Sequence, residues 1–441
     1  MRPDHLQTLP RGGADALLAE HYRSALAEAR ERTLALVAPV TEENLDLQHH
    51  PLMSPLVWDL GHIAAFEDLW LGQRAGGLQA LRPDLAEVYD AAETPRAQRG
   101  ATPYLRREHV LDFMAAVRGR ALEVLDRSDL SPGGDPLHAH GFVWEMIVQH
   151  EHQHNETMLQ TLQLVGPGVY SPPRRGLPWA AEQAGPATVR VSGGPFPMGD
   201  PGAGFAYDNE RPRRDVDVAA FEIDRLPVTN GAYLEFVDDG GYAREELWGA
   251  EGWRWRCADG VERPLYWDAE GNERRFERVA EIDPLMGVMH VSWHEADAFA
   301  RWRGARLPTE AEWEKATAYD PEAGESRRQP WGDEDAGPQR ANVDQLAFGP
   351  APAGALPAGA APCGALGMIG DAWEWTASAF GGYPGFRAHP YPEYSEAFFG
   401  GGYRVLRGGS WASRPSVVRA TFRNWDHPQR RQVFTGFRCA Q

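Results

Sequence analysis

Hydrophobic residues recur at three- and four-residue spacing through the first third of the chain, and this period predicts amphipathic helices. A serine cap followed by a proline at the first helical position marks the start of the second helix. The four periodic stretches are residues 16–37, the segment from Ser54-Pro55 onward, 108–125 and 140–165. Helices of this number and length predict an antiparallel four-helix bundle, which we place at residues 14–165.

The pattern changes after residue 165. Residues 166–187 are rich in proline and glycine and have no hydrophobic period, so they predict an interdomain linker. From residue 188 to 441, short apolar runs alternate with glycines and aromatic residues, which indicates an irregular α+β domain with short strands. Within it only residues 293–303 and 309–317 have a helical pattern. The chain is therefore expected to be multidomain.

Composition narrows the class of protein. The 441 residues include 44 basic and 63 acidic side chains, a formal net charge of −19, which argues against nucleic acid or an anionic membrane as a partner. No apolar run is long enough to span a bilayer. Three scattered cysteines exclude a disulfide framework and fit a reducing compartment, so we expect a cytoplasmic protein. The oligomeric state stays open.

The most informative segment is QHEHQHNE, residues 149–156. On a helix, His150 and His154 project from the same face, together with apolar residues such as Ile147 and Met158. Two imidazoles on the buried face of a bundle helix would be costly without a binding partner, and a metal ion removes that cost. His152 lies about 200° away from this face, and we expect it to be solvated or hydrogen-bonded.

A third ligand must come from another helix, because Glu156 also lies about 200° from His154 around an unbroken helix. We expect Glu156 to support an imidazole or a neighbouring helix instead. His62 is the strongest candidate, since it shares an inward stripe with Trp58 and Phe66. Three neutral imidazoles suit zinc, copper or iron and leave coordination positions open, and the spacing does not select among these metals.

Several segments resemble known families. Residues 290–316, GDAWEWTAS (370–378), VLRGGSW (405–411) and FRNWDHPQRRQVFTGFR (422–438) resemble the formylglycine-generating-enzyme-like domain, which has a C-type-lectin-related fold. The N-terminal part, with GHIAAFEDLWL and HxxxHxE, resembles a DinB-like four-helix bundle. In this order the two resemble the ergothioneine-biosynthesis sulfoxide synthases, which are non-haem iron enzymes.

This resemblance implies an enzyme with Fe(2+) as cofactor and dioxygen as co-substrate. Its reaction would join the sulfur of a cysteine-derived thiol, γ-glutamylcysteine or cysteine, to C2 of the imidazole of hercynine and give a sulfoxide. It implies that His62, His150 and His154 are the iron ligands and that Gln153 contacts a substrate. Formylglycine-generating enzymes themselves have a cysteine pair near the C-terminus, whereas this segment has only Cys439. We therefore expect no catalytic cysteine.

The resemblance also places substrate-binding residues in the C-terminal domain. Asn424 matches a residue near the trimethylammonium and carboxylate of hercynine, and Asp426 and Arg430 match residues that hold the thiol substrate. Arginine and aspartate side chains suit the carboxylates and ammonium of a γ-glutamyl thiol. Trp425 could offer a cation–π face, although simple core packing is equally expected.

Two assignments keep alternatives. Either Arg96 or Arg99 is expected to bind the other carboxylate of the thiol. A tyrosine is expected to act as a proton donor; Tyr391 is preferred, with Tyr383 and Tyr394 as alternatives.

The competing functions are a zinc-dependent DinB-type thiol transferase and a related enzyme that forms C–S or C–Se bonds on histidine itself or from selenium donors. In the C-terminal domain, Asp371 and Glu374 are expected to form hydrogen bonds rather than a calcium site. No catalytic metal is expected in that domain.

Overall fold

The fold is described from a computed structural model that covers residues 11–173, 177, 179, 185–202 and 204–441, with side chains from residue 15 onward. The chain divides into two compact units. The helical unit comprises Met1–Ser171 together with Gly202–Phe205, and the mixed unit comprises Pro172–Pro201 and Ala206–Gln441. That Gly202–Phe205 belongs to the helical unit was not predicted. In this segment the ring of Phe205 lies 5.1 Å from the ring of Phe142.

All four predicted helices of the helical unit are present. Its helices are α1 (Arg11–Val37), α2 (Glu42–Asp46), α3 (Leu56–Glu67), α4 (Arg107–Asp126) and α5 (Phe142–Val165). Both α1 and α3 pack against α4 and α5, so the four long helices enclose one core. Helix α3 continues directly as a π-helix, Asp68–Ala75, a wider form often found at functional sites.

The predicted start of α3 needs a correction. Pro55, not Ser54, is the capping residue, and no side chain caps this end of the helix. The Ser54 hydroxyl instead accepts a hydrogen bond of 2.8 Å from Nη1 of Arg99. Ser54 lies one residue too early to reach the first free amides of the helix, and it is buried against Arg99.

A closed set of ion pairs fills part of the bundle core, and we call Arg30, Glu67, Arg118 and Glu151 the quartet. Arg30 lies 2.7 Å from Glu67 and 2.9 Å from Glu151. Arg118 lies 2.6 Å from Glu67 and 3.1 Å from Glu151. Each member comes from a different helix, α1, α3, α4 and α5, so the quartet connects all four.

The described part of the mixed unit has four helices, α6 (Asn230–Asp238), α7 (Ala250–Asp259), α8 (Trp293–Trp302) and α9 (Glu310–Ala318). Helices α8 and α9 match the predicted helical segments 293–303 and 309–317. Helices α6 and α7 were not predicted; in α7 two tryptophans are interleaved with arginines, which gives no apolar stripe.

Its strands are short. They are β1 (Thr188–Val191), β2 (Gly194–Met198), β3 (Arg214–Val218), β4 (Phe221–Asp224), β5 (Asn272–Arg275), β6 (Arg278–Glu281), β7 (Tyr319–Asp320), β8 (Glu325–Ser326), β9 (Trp373–Ala379), β10 (Arg404–Arg407), β11 (Asn424–Asp426) and β12 (Thr435–Gly436). The largest sheet has the order β11-β10-β9-β12, with β12 parallel to β9 and the other pairs antiparallel. The remaining strands form two-stranded pairs.

Two carboxylates of the mixed unit, Asp371 and Glu374, are hydrogen-bonded. Asp371 accepts hydrogen bonds of 2.7 Å from the side chain of Asn342 and from the amide of Ala351. Glu374 is bound by Arg438 and by the indole of Trp313. Both carboxylates therefore have the hydrogen-bonding role that was predicted for them. Among the described residues, no helix combines the length and apolar character needed to cross a membrane.

Candidate metal centre

The three predicted ligands lie together inside the helical unit. The ring nitrogens that His62, His150 and His154 can offer to a metal all lie within 4.8 Å of one another. The ring centroid of His62 lies 5.1 Å from that of His150 and 4.7 Å from that of His154. The ring centroids of His150 and His154 are 4.5 Å apart. Helix α3 supplies one imidazole and α5 supplies two, as the helical spacing predicted.

The orientation of His62 is fixed from two sides. Its ring stacks on the indole of Trp58 with centroids 5.1 Å apart and an interplanar angle of 10°. Its Nδ1 donates a hydrogen bond of 2.7 Å to the carbonyl oxygen of Tyr89. Because Nδ1 holds the proton, the lone pair of Nε2 remains available as a metal ligand.

His154 is supported by a carboxylate that was not predicted. Its Nδ1 lies 3.4 Å from Oδ1 of Asp59, which is only 1% exposed. Neither carboxylate oxygen of Asp59 has a hydrogen-bond partner among the described residues. A carboxylate beside the outer nitrogen of an imidazole orients the ring and increases its basicity as a metal ligand. The only sequence signal was the position of Asp59, three residues before His62 on α3.

His62 and His150 favour the neutral state that binds metals. Burial lowers the pKa of His62 and of His150 well below the usual range, and a positive charge on neighbouring His154 would lower both further. His150 also stacks on Phe66, with centroids 3.9 Å apart. Neutral imidazoles held at this spacing form a donor set suited to a transition metal.

Known proteins match this chain over nearly its whole length. Residues 174–441 match the model of the sulfatase-modifying factor enzyme 1-like domain, and residues 25–158 match the DinB superfamily. A hercynine oxygenase from Mycolicibacterium thermoresistibile is 47% identical over 94% of this chain and 93% of its own length. Another, from Mycobacterium tuberculosis, is 47% identical over 96% of this chain and 98% of its own.

The chain belongs to the hercynine oxygenase family. The predictions of an oxygenase-class enzyme and of a DinB-like unit followed by a formylglycine-generating-enzyme-like unit are confirmed. The mixed unit also resembles a formylglycine-generating enzyme from Streptomyces coelicolor, which is 33% identical over 60% of this chain and 94% of its own length.

In this member of the hercynine oxygenase family the three cysteines form no disulfide. Cys257 is exposed, Cys363 half-buried and Cys439 buried, and all three are free. Burial raises the pKa of Cys363 and of Cys439, which keeps both as neutral thiols.

The other polar residues of α5 are mostly buried. Gln153 is half-buried beside the metal ligands, and Glu156 is 7% exposed. His152 is 3% exposed, so it is not solvated, and its Nε2 lies 3.7 Å from the carboxylate of Glu28. Its burial has a simple cause: α5 contacts both α1 and α3, so two of its faces are covered.

Arg96 and Arg99 differ in how fully they are engaged. Arg99 is buried, lies 3.8 Å over the ring of Trp58, and donates to the Thr94 carbonyl and the Ser54 hydroxyl. Burial lowers its pKa to about 10. Arg96 is exposed and makes one long hydrogen bond, 3.4 Å, to the carbonyl of Leu52.

In the mixed unit, the four predicted substrate residues lie on or just after the edge strand β11. Asn424 and Asp426 are half-buried, and Asp426 lies 3.5 Å from Arg430. Trp425 stacks on Phe380, with centroids 4.1 Å apart and planes within 8°. One face of this indole is therefore occupied by core packing.

The three candidate tyrosines have different surroundings. Tyr383 is buried beneath Arg423, 4.3 Å from its ring, and burial together with the nearby charge of Glu310 raises its pKa. Tyr394 stacks on Tyr207 at 4.1 Å, and burial raises its pKa well above the usual range. Tyr391 is half-buried, and its ring lies 6.2 Å from that of Tyr394.

Proposed function

We propose that this enzyme is an iron(II)- and dioxygen-dependent sulfoxide synthase of ergothioneine biosynthesis, which joins the imidazole C2 of hercynine to the sulfur of a cysteine-derived thiol. The observation that carries the proposal is the convergence of three imidazoles within 4.8 Å in a chain of the hercynine oxygenase family. The donor in the preferred assignment is γ-glutamylcysteine, with cysteine as the alternative.

His62, His150 and His154 would hold the metal. Three imidazoles fit an octahedral ferrous ion and leave three positions for exogenous ligands. Bound iron would supply the site at which dioxygen is activated next to both substrates. The hydrogen bond from His62 to Tyr89 and the approach of Asp59 to His154 keep two of the imidazoles oriented when the site is loaded.

The reaction balances without any other oxidant. The thiol loses its S–H hydrogen, the imidazole loses its C2–H hydrogen, and one C–S bond forms. One oxygen atom of O2 becomes the sulfoxide oxygen, and the other leaves as water with the two hydrogens. Dioxygen thus accepts four electrons, two from C–S bond formation and two from oxidation of the sulfur. Since no cysteine of the chain is assigned a catalytic role, the sulfur would come from the substrate.

We assign hercynine to Gln153 and Asn424. Both are half-buried amides, and an amide can donate to a carboxylate or accept from an imidazole N–H. Trp425 is proposed to hold the strand in place rather than to bind the trimethylammonium by its stacked face, because Phe380 covers that face.

We assign the thiol substrate to Asp426, Arg430 and Arg96. Asp426 and Arg430 present opposite charges 3.5 Å apart, which can exchange their mutual contact for the ammonium and carboxylate of an amino-acid group. Arg96 is preferred over Arg99 for the second carboxylate, because the guanidinium of Arg99 already binds Thr94 and Ser54.

Tyr391 is the proposed proton donor. Tyr383 is surrounded by the buried ion pairs of Arg423 and Glu310, and Tyr394 is covered by Tyr207. Tyr391 is half-buried, and its ring meets that of Tyr394 edge-on at 72°, whereas Tyr207 covers the ring of Tyr394 by stacking. A phenol that delivers a proton must be reachable from the reacting atoms.

Oxygen uptake by the iron-loaded enzyme tests the function. We expect uptake only when hercynine and the thiol are both present, together with a product whose mass equals both substrates plus one oxygen atom minus two hydrogens. Absence of uptake with both substrates would contradict the proposal. A zinc-dependent thiol transferase would consume no oxygen and would work with zinc, so the same assay separates the two functions.

Substrate assignment has its own test. Arg430→Ala should raise the apparent KM for the thiol far more than that for hercynine. Equal increases for both substrates would count against the assigned role. Arg278→Gln, at an exposed position on β6, is a matched control and should leave both constants unchanged.

A further inference from the structure

A cavity of about 450 Å³ lies within the mixed unit, apart from the three histidines. It is enclosed by the first residues of α7 and α8 and by segments 401–404 and 427–429. None of the residues assigned to hercynine or to the thiol lines it. Its size is in the range of small-molecule sites.

The N-terminus of α7 opens into this cavity without a cap. Helix α7 has ten residues, and Gly249, which precedes it, has no side chain that could cap it. Among the described residues no group accepts a hydrogen bond from the amides of Ala250, Glu251 or Gly252. These N–H groups and the positive end of the helix dipole favour an anionic group.

His294 gives an independent indication of a ligand. It lines the cavity, is only 6% exposed, and its ring nitrogens have no hydrogen-bond partner in the described part of the chain. Burial lowers its pKa to about 4, so the ring is neutral and offers one donor and one acceptor. Because His294 borders the cavity, its ring nitrogens can hydrogen-bond a polar group that is bound there.

The charges around the cavity balance. Arg404 lies over the ring of Trp293 at 4.1 Å and forms no ion pair among the described residues, while Arg301 pairs with Asp297 at 2.9 Å. Glu251 is also unpaired there. Two cations and two carboxylates sum to zero, so a simple anion gains little net attraction. A ligand that has both charges at separate positions matches the cavity better.

We infer that this cavity binds a small zwitterion of the α-amino acid class. Its carboxylate would lie against the first amides of α7, His294 and Arg404, and its ammonium group would lie toward Glu251 and Asp297. The stacked pair of Tyr403 and His427, with centroids 4.0 Å apart, forms one wall. This site goes beyond the proposed function and does not depend on it.

Calorimetric titration of the metal-free, full-length chain with three probes tests the inference. L-Valine has both charges, isovalerate lacks the ammonium group, and isobutylamine lacks the carboxylate. We expect L-valine to bind in the low millimolar range or tighter, and each analogue to bind at least about tenfold more weakly because it loses one charged contact. Absence of L-valine binding, or equal binding of isovalerate, would overturn the assignment.

Variants locate the binding. Arg404→Gln should weaken L-valine binding about tenfold by removing the unpaired cation. Gly252→Ala should weaken it as well, since the added carbon would lie 2.9 Å from Nδ1 of His294 and displace that ring. If Arg404→Gln does not fold, Glu251→Gln at an exposed position replaces it, since it removes a carboxylate assigned to the ammonium group of the ligand. Arg278→Gln is the control; if all variants bound L-valine like the original chain, the cavity would not be the site.

Discussion

His62 donates from Nδ1 to the carbonyl oxygen of Tyr89 at 2.7 Å, and this bond links the metal centre to the connection that follows α3. The close approach depends on Gly61. A Cβ at this position would lie 2.1 Å from the ring of Tyr89, so only glycine permits the ring to lie there. Glycine is therefore required at position 61, because Tyr89, whose carbonyl orients His62, packs against it.

Gly61→Ala should therefore destabilise the helical unit and weaken metal binding together. Displacing the Tyr89 ring costs about 1–3 kcal/mol, which exceeds the gain in helix propensity of about 1 kcal/mol. Urea unfolding followed by helical circular dichroism gives the first quantity, and metal titration the second. Gly119→Ala, at an exposed position of α4, is the control, because nothing lies within 4 Å of the added carbon. It should stabilise the protein by about 0.5–1 kcal/mol.

Asp59→Asn should lower metal affinity with little loss of fold, since the amide has the same shape but no charge beside His154. Loss of such a supporting carboxylate typically reduces affinity about 10–100-fold. Titration of metal-free protein with Fe(II) under anaerobic conditions measures this. Asp112→Asn, at an exposed position of α4, should bind metal like the original chain. An unchanged affinity for Asp59→Asn would show that the carboxylate does not support the ligand.

The quartet should be the most sensitive polar element of the bundle. Glu151→Gln leaves Arg30 and Arg118 with one carboxylate instead of two, and breaking a buried pair typically costs about 3–5 kcal/mol. Because Glu151 adjoins His150 on α5 and Glu67 lies on α3, we expect weakened metal binding as well. Asp84→Asn removes the exposed partner of Arg82 and should not change the unfolding midpoint.

Glu151 also predicts a pH dependence. Burial alone would raise its pKa, but the charges of Arg30 and Arg118 outweigh burial and lower it below the ordinary 4.5. A depressed pKa in the folded state contributes stability that is complete above the unfolded pKa and is lost as the pH falls through the folded pKa. The difference in unfolding free energy between the original chain and Glu151→Gln should be constant above pH 4.5 and shrink below it. A difference independent of pH down to the acid transition would contradict this account.

The convergence of the three histidines could be predicted because the signal of each is local. His150 and His154 lie four residues apart on a helix with an apolar face, and His62 lies on an apolar stripe of its own. Asp59 could not be paired with His154 from the sequence, since 95 residues separate them along the chain and only the packing of α3 on α5 brings them together.

The remaining differences have physical causes of the same kind. The quartet joins residues of four helices, so no local pattern reveals it. Ser54 resembles a helix cap in sequence, but its hydroxyl is bound by Arg99, a residue 45 positions later. Helix α7 was missed because it has no apolar stripe: Gly252 is its only buried residue, and the rest of the helix is exposed or half-buried.

The most direct test of the central claim is an anaerobic Fe(II) titration of three proteins: the original chain, His150→Gln and His109→Gln. His109 is an exposed histidine of α4 and serves as the control. If His62, His150 and His154 form the metal centre, the original chain and His109→Gln bind one Fe(II) per chain with equal affinity, and His150→Gln loses this binding while retaining its helical content. Equal Fe(II) binding by a folded His150→Gln protein would contradict the account.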